Sequence, residues 1–566
     1  MIYIISLILS LFAFVKPVHA IYDPTSVPNN KYGILIADFS DLSDIPPLVN
    51  SSGGNWGYVT LISTDNDRDA TKWQQMFDKM RQSHLIPIVR IATHVEGDHW
   101  AKPNPNDFDG MVRFFDKLNW PIENRYIVLY NEPNHAKEWG DTINPEEYAK
   151  DVVELGRKFK TASNDFFLLP AGLDVSAATD NQTLDASNYI QRVVNAEPNF
   201  LTTIDGWTSH SYPNPAFSGS PYATGRGTLT SFQWELSLLQ NLGLTKQLPV
   251  FITETGWIHS EGKTPQRSSL SSDEVGNNFT IAANSVWQDS RVVAVTPFVF
   301  NYQDYPFDNF SWKQLGNNDF YSQYYAYQSI LKTNGMPLQH EVYVLSSPLL
   351  PPSLVANSSY TFTTTITNVG QGILNPNDYS LDLDDKKFTL IADPLPTVEP
   401  NSSGVITIHL KTPAAANTHK VTLSLVHNTQ RIKLQETDVT LIPPPTITVA
   451  LQLGWRRTSD AKNVKVIIYD KNEIIRQVNG LTLSGGSVTV PGIANIVPGK
   501  TYRVVTVVPY YLPRQQIVQL QATNTLVSMK RALPFDIDRD GKLTLNDVWL
   551  LIKSPPNDYI HLFISP

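Results

Sequence analysis

The sequence predicts an α/β chain: a (β/α)8 (TIM) barrel, then two all-β sandwich-like domains, then a short EF-hand-like calcium segment. Three observations carry this. From about residue 30 to 335, apolar strand-like runs alternate with amphipathic stretches of helical period. Past residue 340 the helical period stops and short strands separated by turn residues take over. Near the C-terminus, Asp536, Asp538 and Asp540 are spaced like the first ligands of a calcium loop.

Residues 2–15 are almost wholly apolar and are followed by Val18-His19-Ala20, a small-residue cleavage site. Residues 1–20 therefore read as a secretory signal, with the mature chain starting near Ile21. No Lys or Arg precedes the run and Lys16 follows it, so an uncleaved N-terminal anchor is the alternative. The run is shorter than the roughly 20 residues that a bilayer span takes. The chain is expected outside the cell, secreted or held at its surface by that segment.

The barrel is expected over residues 28–335, with strands at 32–38, 58–64, 86–93, 126–131, 166–173, 204–211, 250–253 and 292–301. Most are continuous apolar runs rather than alternating ones, as in a parallel sheet buried on both faces. Amphipathic stretches at 71–83, 108–118, 145–161, 186–195 and 273–288 supply helices between them. Asn144-Pro145-Glu146-Glu147 is a helix start: Asn as cap, Pro in the first position, acids in the first turn. An open doubly wound sheet would carry a Gly-rich loop after its first strand, and Ile36-Ala-Asp-Phe-Ser has none.

The first β-domain is expected over 340–443, an Ig-like sandwich with strands at 360–368, 404–411, 420–426 and 436–442. Pro443-Pro444-Pro445 marks a boundary. A second sandwich follows over 444–531, with strands at 446–453, 463–469, 486–490, 502–508 and 516–522, and 532–566 is the terminal segment.

Composition narrows the function. A chain of 566 residues calls for about three or four units. Its net charge of −9, with 17% charged residues and no basic tract, excludes a nucleic-acid binder. With 0 Cys, disulfides, thiolate metal sites and cysteine nucleophiles are excluded together. Aromatics are 11% of the chain, enough to fill cores and still leave rings for stacking sugars.

Two strand candidates run into glutamates: Tyr126-Ile-Val-Leu-Tyr-Asn-Glu132-Pro133 and Pro249-Val-Phe-Ile-Thr-Glu254-Thr-Gly-Trp257. A strand ending in a carboxylate carries charge to the barrel's C-terminal rim, where barrel enzymes keep their chemistry. In the expected strand order these are strands four and seven, so both carboxyls face one mouth. Glycosidic cleavage needs such a pair, one to protonate the leaving oxygen and one to attack or stabilise the anomeric carbon.

Asn131-Glu132-Pro133 and Thr253-Glu254-Thr-Gly-Trp257 resemble the paired signatures of clan A glycoside hydrolases, which include cellulase-like and xylosidase/iduronidase-like families. The resemblance covers the barrel only. It implies a retaining double displacement with Glu132 as acid/base, Glu254 as nucleophile and Asn131 on the substrate 2-hydroxyl. His210-Ser-Tyr212, ending strand six, matches the clan's His-x-Tyr and implies that both side chains orient the nucleophile or the sugar. Arg90 interrupts an apolar strand and needs a carboxylate: Glu254, Glu132 or Asp38. Trp257 and Trp139 are candidate sugar platforms. Many clan members place a Trp at the end of strand eight; this chain has Phe298-Val-Phe300-Asn301-Tyr302, with Phe300 or Tyr302 as substitute. Loops at 95–107, 213–227 and 259–272 are expected to shape the cleft.

The segment 536–547 fits a twelve-residue calcium loop: Asp536, Asp538 and Asp540 at positions one, three and five, Gly541 at the turn. Lys542 offers its carbonyl, Thr544 stands at nine and Asp547 closes the site. The loop resembles one dockerin repeat. Dockerins carry two, so the segment reads as a calcium-stabilised cap on the preceding β-domain rather than a cohesin-binding module, with Ca2+ structural and no catalytic cofactor. The expected partner is a carbohydrate substrate, with cell-surface or glycan attachment through the C-terminal modules. Two alternatives remain: a non-catalytic glycan-binding surface protein, and a transglycosylase using the same site.

Overall fold

The computed structural model describes residues 21–263 and 270–553; the expected signal segment at 1–20 and the last part of the terminal segment lie outside the described residues. The chain forms two compact units, Met1–His340 and Glu341–Pro566.

In the first unit eight parallel strands form a ring. They are β1 (Gly33–Leu35), β2 (Gly57–Thr64), β3 (Leu85–Ala92), β4 (Arg125–Leu129), β5 (Phe166–Pro170), β6 (Trp207–His210), β7 (Val250–Glu254) and β8 (Val292–Val295). β1 to β5 pair in sequence order, and so do β6 to β8. A parallel bridge between Tyr32 and Val295 closes one seam. At the other, the Asp205 and Gly206 amides donate to the Leu168 carbonyl. The ring is thus closed without a free sheet edge.

Between the strands run α1 (Ala70–Gln82), α2 (Phe108–Lys117), α3 (Pro145–Ala162), α4 (Ala186–Ala196), α5 (Ser231–Asn241), α6 (Ser272–Ala283) and α7 (Ser322–Ser329). Asn144 caps α3, its side chain accepting from the Glu147 amide at 3.1 Å. Ser271 and Glu274 form a reciprocal capping box on α6. At the end of α7 the buried Lys332 ammonium donates to the carbonyls of Tyr327, Gln328 and Ile330 at 2.9–3.1 Å. It thereby satisfies acceptors that a helix end leaves unpaired.

Inside the ring, Tyr126, Phe167 and Phe251 stand with ring centroids 5.0–5.7 Å apart, beneath Ile88, Val128 and Leu169. The barrel floor is therefore packed side chain, and any cavity lies above it. The two-residue period of β3 puts Ile86, Ile88 and Arg90 on one face of the strand.

Five strands are shorter than expected: β4 stops at Leu129, β5 stops at Pro170, β6 covers only Trp207–His210, and β1 and β8 are cut most in proportion to their length. β1 stops at Leu35, and Asp38 instead caps a short 3-10 turn, its carboxylate accepting from the Ser40 amide at 2.7 Å. β8 stops at Val295, two residues before Pro297, which has no N–H for a ladder. α5 and α7 lie outside the clearest amphipathic stretches of the sequence.

The second unit is all-β up to its last helix, with two separate cores. In the first, strands order as 343–345, 359–368, 403–411, 389–392 in one sheet and 353–355, 430–442, 418–427, 379–383 in the other, closing over Ile366, Ile408, Leu423 and Leu441. In the second, 487–490, 447–450, 525–528 face 473–483, 461–470, 501–507, 514–519 over Val449, Val466, Val504 and Val527. Helix α8 (Leu545–Lys553) begins within the last positions of the acidic loop and carries Asp547 in its first turn. Among the described residues no helix is long and apolar enough to cross a membrane.

Candidate active site

A cavity of about 630 Å³ opens at the C-terminal ends of the barrel strands, and Arg90, Asn131, Glu132, Tyr212, Glu254 and Tyr302 all line it. Arg90 comes from β3, and Asn131 and Glu132 from just past β4. Tyr212 follows β6, and Glu254 is the last residue of β7. Glu132 lies beyond its strand rather than on it: β4 ends at Leu129, and Tyr130 and Glu132 have φ of 76° and 30°. Such left-handed non-glycine residues cost energy and concentrate at functional sites. Here the bend turns the Glu132 carboxyl across the mouth.

The two carboxylates meet at His210. Its Nδ1 stands 2.7 Å from Glu132 Oε1 and 3.8 Å from Glu254 Oε2. One oxygen of each glutamate and a ring nitrogen of His210 fall within 4.8 Å of one another. Arg90 Nη1 donates both to Glu254 Oε1 and to Asn131 Oδ1, the latter at 2.7 Å. Tyr212 donates its hydroxyl to Glu254 Oε2 at 3.0 Å. Both Glu254 oxygens are thus held by donors, so a cation at this spacing would have to displace Arg90 or Tyr212. Arg90 pairs with Glu254 and not with Asp38.

The environments of the two glutamates differ. The Glu254 side chain is 10% accessible and that of Glu132 20%. Burial pushes the Glu254 carboxyl up, but the facing His210 and Arg90 and the hydrogen bonds from Arg90 and Tyr212 outweigh it and hold it below its ordinary value. His210 feels the reverse: burial lowers it, the Glu254 and Glu132 charges raise it, and the net shift is upward. The imidazole fits only because residue 172 is glycine, since a Cβ there would stand 2.2 Å from His210 Cδ2 and 2.4 Å from Nε2.

Two expected sugar platforms are core residues instead. Trp257 is buried, its Nε1 donating to the Gly219 carbonyl at 2.8 Å and its ring edge-to-face on Phe279. Trp139 is fully buried between Tyr130 and Tyr148, with Nε1 on Glu147. Trp257 comes three residues after Glu254 and Trp139 seven after Glu132, and in both cases the ring packs into the core rather than into the cavity. Phe300 likewise packs on Phe320 in the core, while Tyr302 lines the cavity beside Phe307. The apolar wall is completed by Phe217, Phe298 and Phe310, and the polar wall by His135 and Asp174, paired at 3.1 Å. Glu138 also lines the cavity. These were not read from the sequence, because their loops carry no periodic pattern that places them.

In the second unit, Asp536, Asp538 and Asp547 present oxygens within 4.8 Å of one another. Gly541, at φ 83°, donates to Asp536 Oδ1, and Asp538 Oδ1 accepts from the Asp540 amide. Burial and the neighbouring Asp547, Asp540 and Asp538 push the Asp536 carboxyl up. Three carboxylate oxygens this close together are the donor type a hard divalent cation takes, although hydrogen bonds from the Thr544, Ile537 and Asp538 amides hold the Asp547 carboxyl below its ordinary value. Asp540, Lys542 and Thr544 lie outside that trio: Asp540 accepts from the Lys542 amide, and Thr544 bonds Asp547 Oδ2.

No family model matches the chain, and no curated protein does. Solved structures that align with it include a family 39 glycoside hydrolase from Bacteroides cellulosilyticus WH2, at 13% identity over 70% of this chain and 83% of that one, TM-score 0.39. A family 51 alpha-L-arabinofuranosidase from Bifidobacterium longum aligns at 11% identity over 60% and 78%, TM-score 0.32. A GH128 (subgroup I) endo-beta-1,3-glucanase from Amycolatopsis mediterranei, in complex with laminaritriose, aligns at 13% identity over 53% and 99%, TM-score 0.31.

Proposed function

We propose that the protein is a secreted retaining β-glycosidase that cleaves O-glycosidic bonds in a poly- or oligosaccharide. The observation that carries this is the approach of the Glu132 and Glu254 carboxylates to within 4.8 Å, bridged by His210 at the barrel mouth. Retaining enzymes hold their two carboxyls about 5–5.5 Å apart and inverting ones about 6.5–9.5 Å, to admit a water. Glu132 gives its proton to the glycosidic oxygen while Glu254 attacks the anomeric carbon, breaking the C–O bond and forming a glycosyl ester. Water then attacks that carbon, Glu132 takes its proton back, and Glu254 leaves as carboxylate. Arg90 and Tyr212 keep Glu254 ionised and aimed, and the more accessible Glu132 sits where water reaches it.

The cavity lining favours a neutral glycan. Among the described lining residues Arg90 is the one Lys or Arg and is spent on Glu254 and Asn131, and His135 is paired with Asp174, so these residues hold no unpaired cation for a uronate or sulfate. The Tyr302–Phe307 wall suits the apolar face of a sugar ring. Calcium is proposed as a structural ion at Asp536, Asp538 and Asp547, bracing the start of the segment that carries α8, and export is proposed from residues 1–20.

A panel of neutral and acidic glycans assayed by reducing-end release tests the reading. Turnover on a neutral glycan, lost by about 10²–10⁴-fold in Glu132→Gln and at least as far in Glu254→Gln with both variants still folded by circular dichroism, is the expected result. Binding without release across the panel would instead favour a glycan-binding protein.

A further inference from the structure

Besides Glu132, Glu254 and the His135-paired Asp174, the cavity is lined by a further carboxyl group, Glu138, that the two-glutamate chemistry leaves without a task. Glu138 ends a short 3-10 turn, Ala136–Glu138, that doubles back after Glu132. The turn is fastened by the His135 amide on the Glu132 carbonyl at 2.8 Å, and by the Ala136 amide on the Gln182 carbonyl at 2.8 Å. This returns the Glu138 side chain to the mouth, where Oε2 accepts from Asn131 Nδ2 at 3.2 Å. Asn131 is consequently held from both ends of its amide, Oδ1 by Arg90 and Nδ2 by Glu138.

That double hold fixes which way the amide faces. An amide has two donors and one acceptor group, and its two orientations present opposite chemistry to a ligand. With Oδ1 committed to Arg90, the second N–H of Nδ2 is the group left for a substrate hydroxyl. We propose that Glu138 is a positioning residue for the reaction, acting through Asn131 by locking its amide so that an N–H is presented beside Glu132. This rests on the glycosidase reading and deepens it.

The charges around Glu138 fit that task. Glu132 faces it from the bend past β4, Glu254 from β7, Arg90 from β3, and His135 from its own turn; Lys137, also on the turn, is exposed and paired with Asp98. Burial and the Glu132 charge push the Glu138 carboxyl up to about 7. Below that pH it is neutral, so it accepts from Asn131 without adding a third anion to the pair.

The experiment compares Glu138→Ala, Glu138→Gln, Asn131→Ala and the Glu138→Ala/Asn131→Ala double variant on the best neutral glycan from the panel, at pH 5.5. Gln keeps an oxygen acceptor for Nδ2; Ala removes it. The expected result is a kcat about 10-fold or more lower in Glu138→Ala with KM changed less than 3-fold, recovery of most of it in Glu138→Gln, and no further loss in the double variant beyond Asn131→Ala. Parental kcat in Glu138→Ala, or losses that multiply in the double variant, would overturn it. A crystal structure of Glu138→Ala supplies a substrate-free readout: the Asn131 amide turned or disordered is expected, and one unmoved on Arg90 counts against the proposal. If the parent cleaves nothing on the panel, it is the glycosidase reading that fails, while the amide's orientation still decides the positioning role.

Discussion

Gly172 shows how closely the site is fitted. It makes no contact with substrate in the proposed chemistry, yet a methyl at its position would overlap the His210 ring. Gly172→Ala therefore pushes the imidazole off the Glu132–Glu254 pair. Displacements near 1 Å at a reacting centre cost on the order of 100-fold in rate. The expected outcome is a kcat lowered by that order in a protein that still folds cooperatively with a somewhat lower melting temperature, measured on the same glycan as the parent. Full activity would mean that His210 does not hold the pair. Trp257 and Trp139 carry the opposite lesson. Their place in the sequence, just beyond each glutamate, suggests sugar stacking, but three-dimensional packing assigns both to the core.

Among the elements, the strands were the most legible, because continuous apolar runs such as 86–93 and 250–253 can only be buried on both faces. Their rim ends were legible too, since Arg90 is a charge inside one such run and Glu254 a charge that ends another. The turn that carries Glu138 was not, because a three-residue 3-10 segment has no period, and its course is set by hydrogen bonds to Gln182, 46 residues past Ala136. α7, with the sequence Ser-Gln-Tyr-Tyr-Ala-Tyr-Gln-Ser, lacks the apolar and polar faces that mark a helix, and packs through its tyrosines. At this scale the acidic loop makes its own prediction. Calcium, as proposed at Asp536, Asp538 and Asp547, would offset their mutual repulsion, so added calcium is expected to raise the melting temperature of the intact protein and a chelator to lower it. Asp536→Asn with Asp547→Asn abolishes that difference. A parent whose melting ignores calcium would remove the ion from the segment.

Over the whole molecule the titrating groups set a pH at which the fold is most stable. Glu138, Asp151 and Glu235 are each pushed up to about 7, chiefly by burial. Their folded values lie above their unfolded ones, so folding takes up protons and stability falls as pH rises from roughly 4.5 through 7. Asp289, held at about 2 by its hydrogen bond to Arg291, acts the other way and contributes stability that is lost as pH falls below about 4. Glu254, also held low, adds to that acid-side loss. The melting temperature is expected to peak near about pH 5 and to decline toward pH 8, with a shallower decline in Glu235→Gln. A peak above pH 8 would show that these carboxyls are not buried as described. The division of labour between the two glutamates, however, is tested most directly by trapping the intermediate. Incubation with 2,4-dinitrophenyl 2-deoxy-2-fluoro-β-glycosides, followed by intact-mass and peptide mass spectrometry, reads it without a steady-state assay. A mass gain of one fluoroglycosyl group, located on Glu254 and absent in Glu254→Gln, is the expected result; an adduct on Glu132, or reducing-end release from a glycan with inverted anomeric configuration, would contradict it.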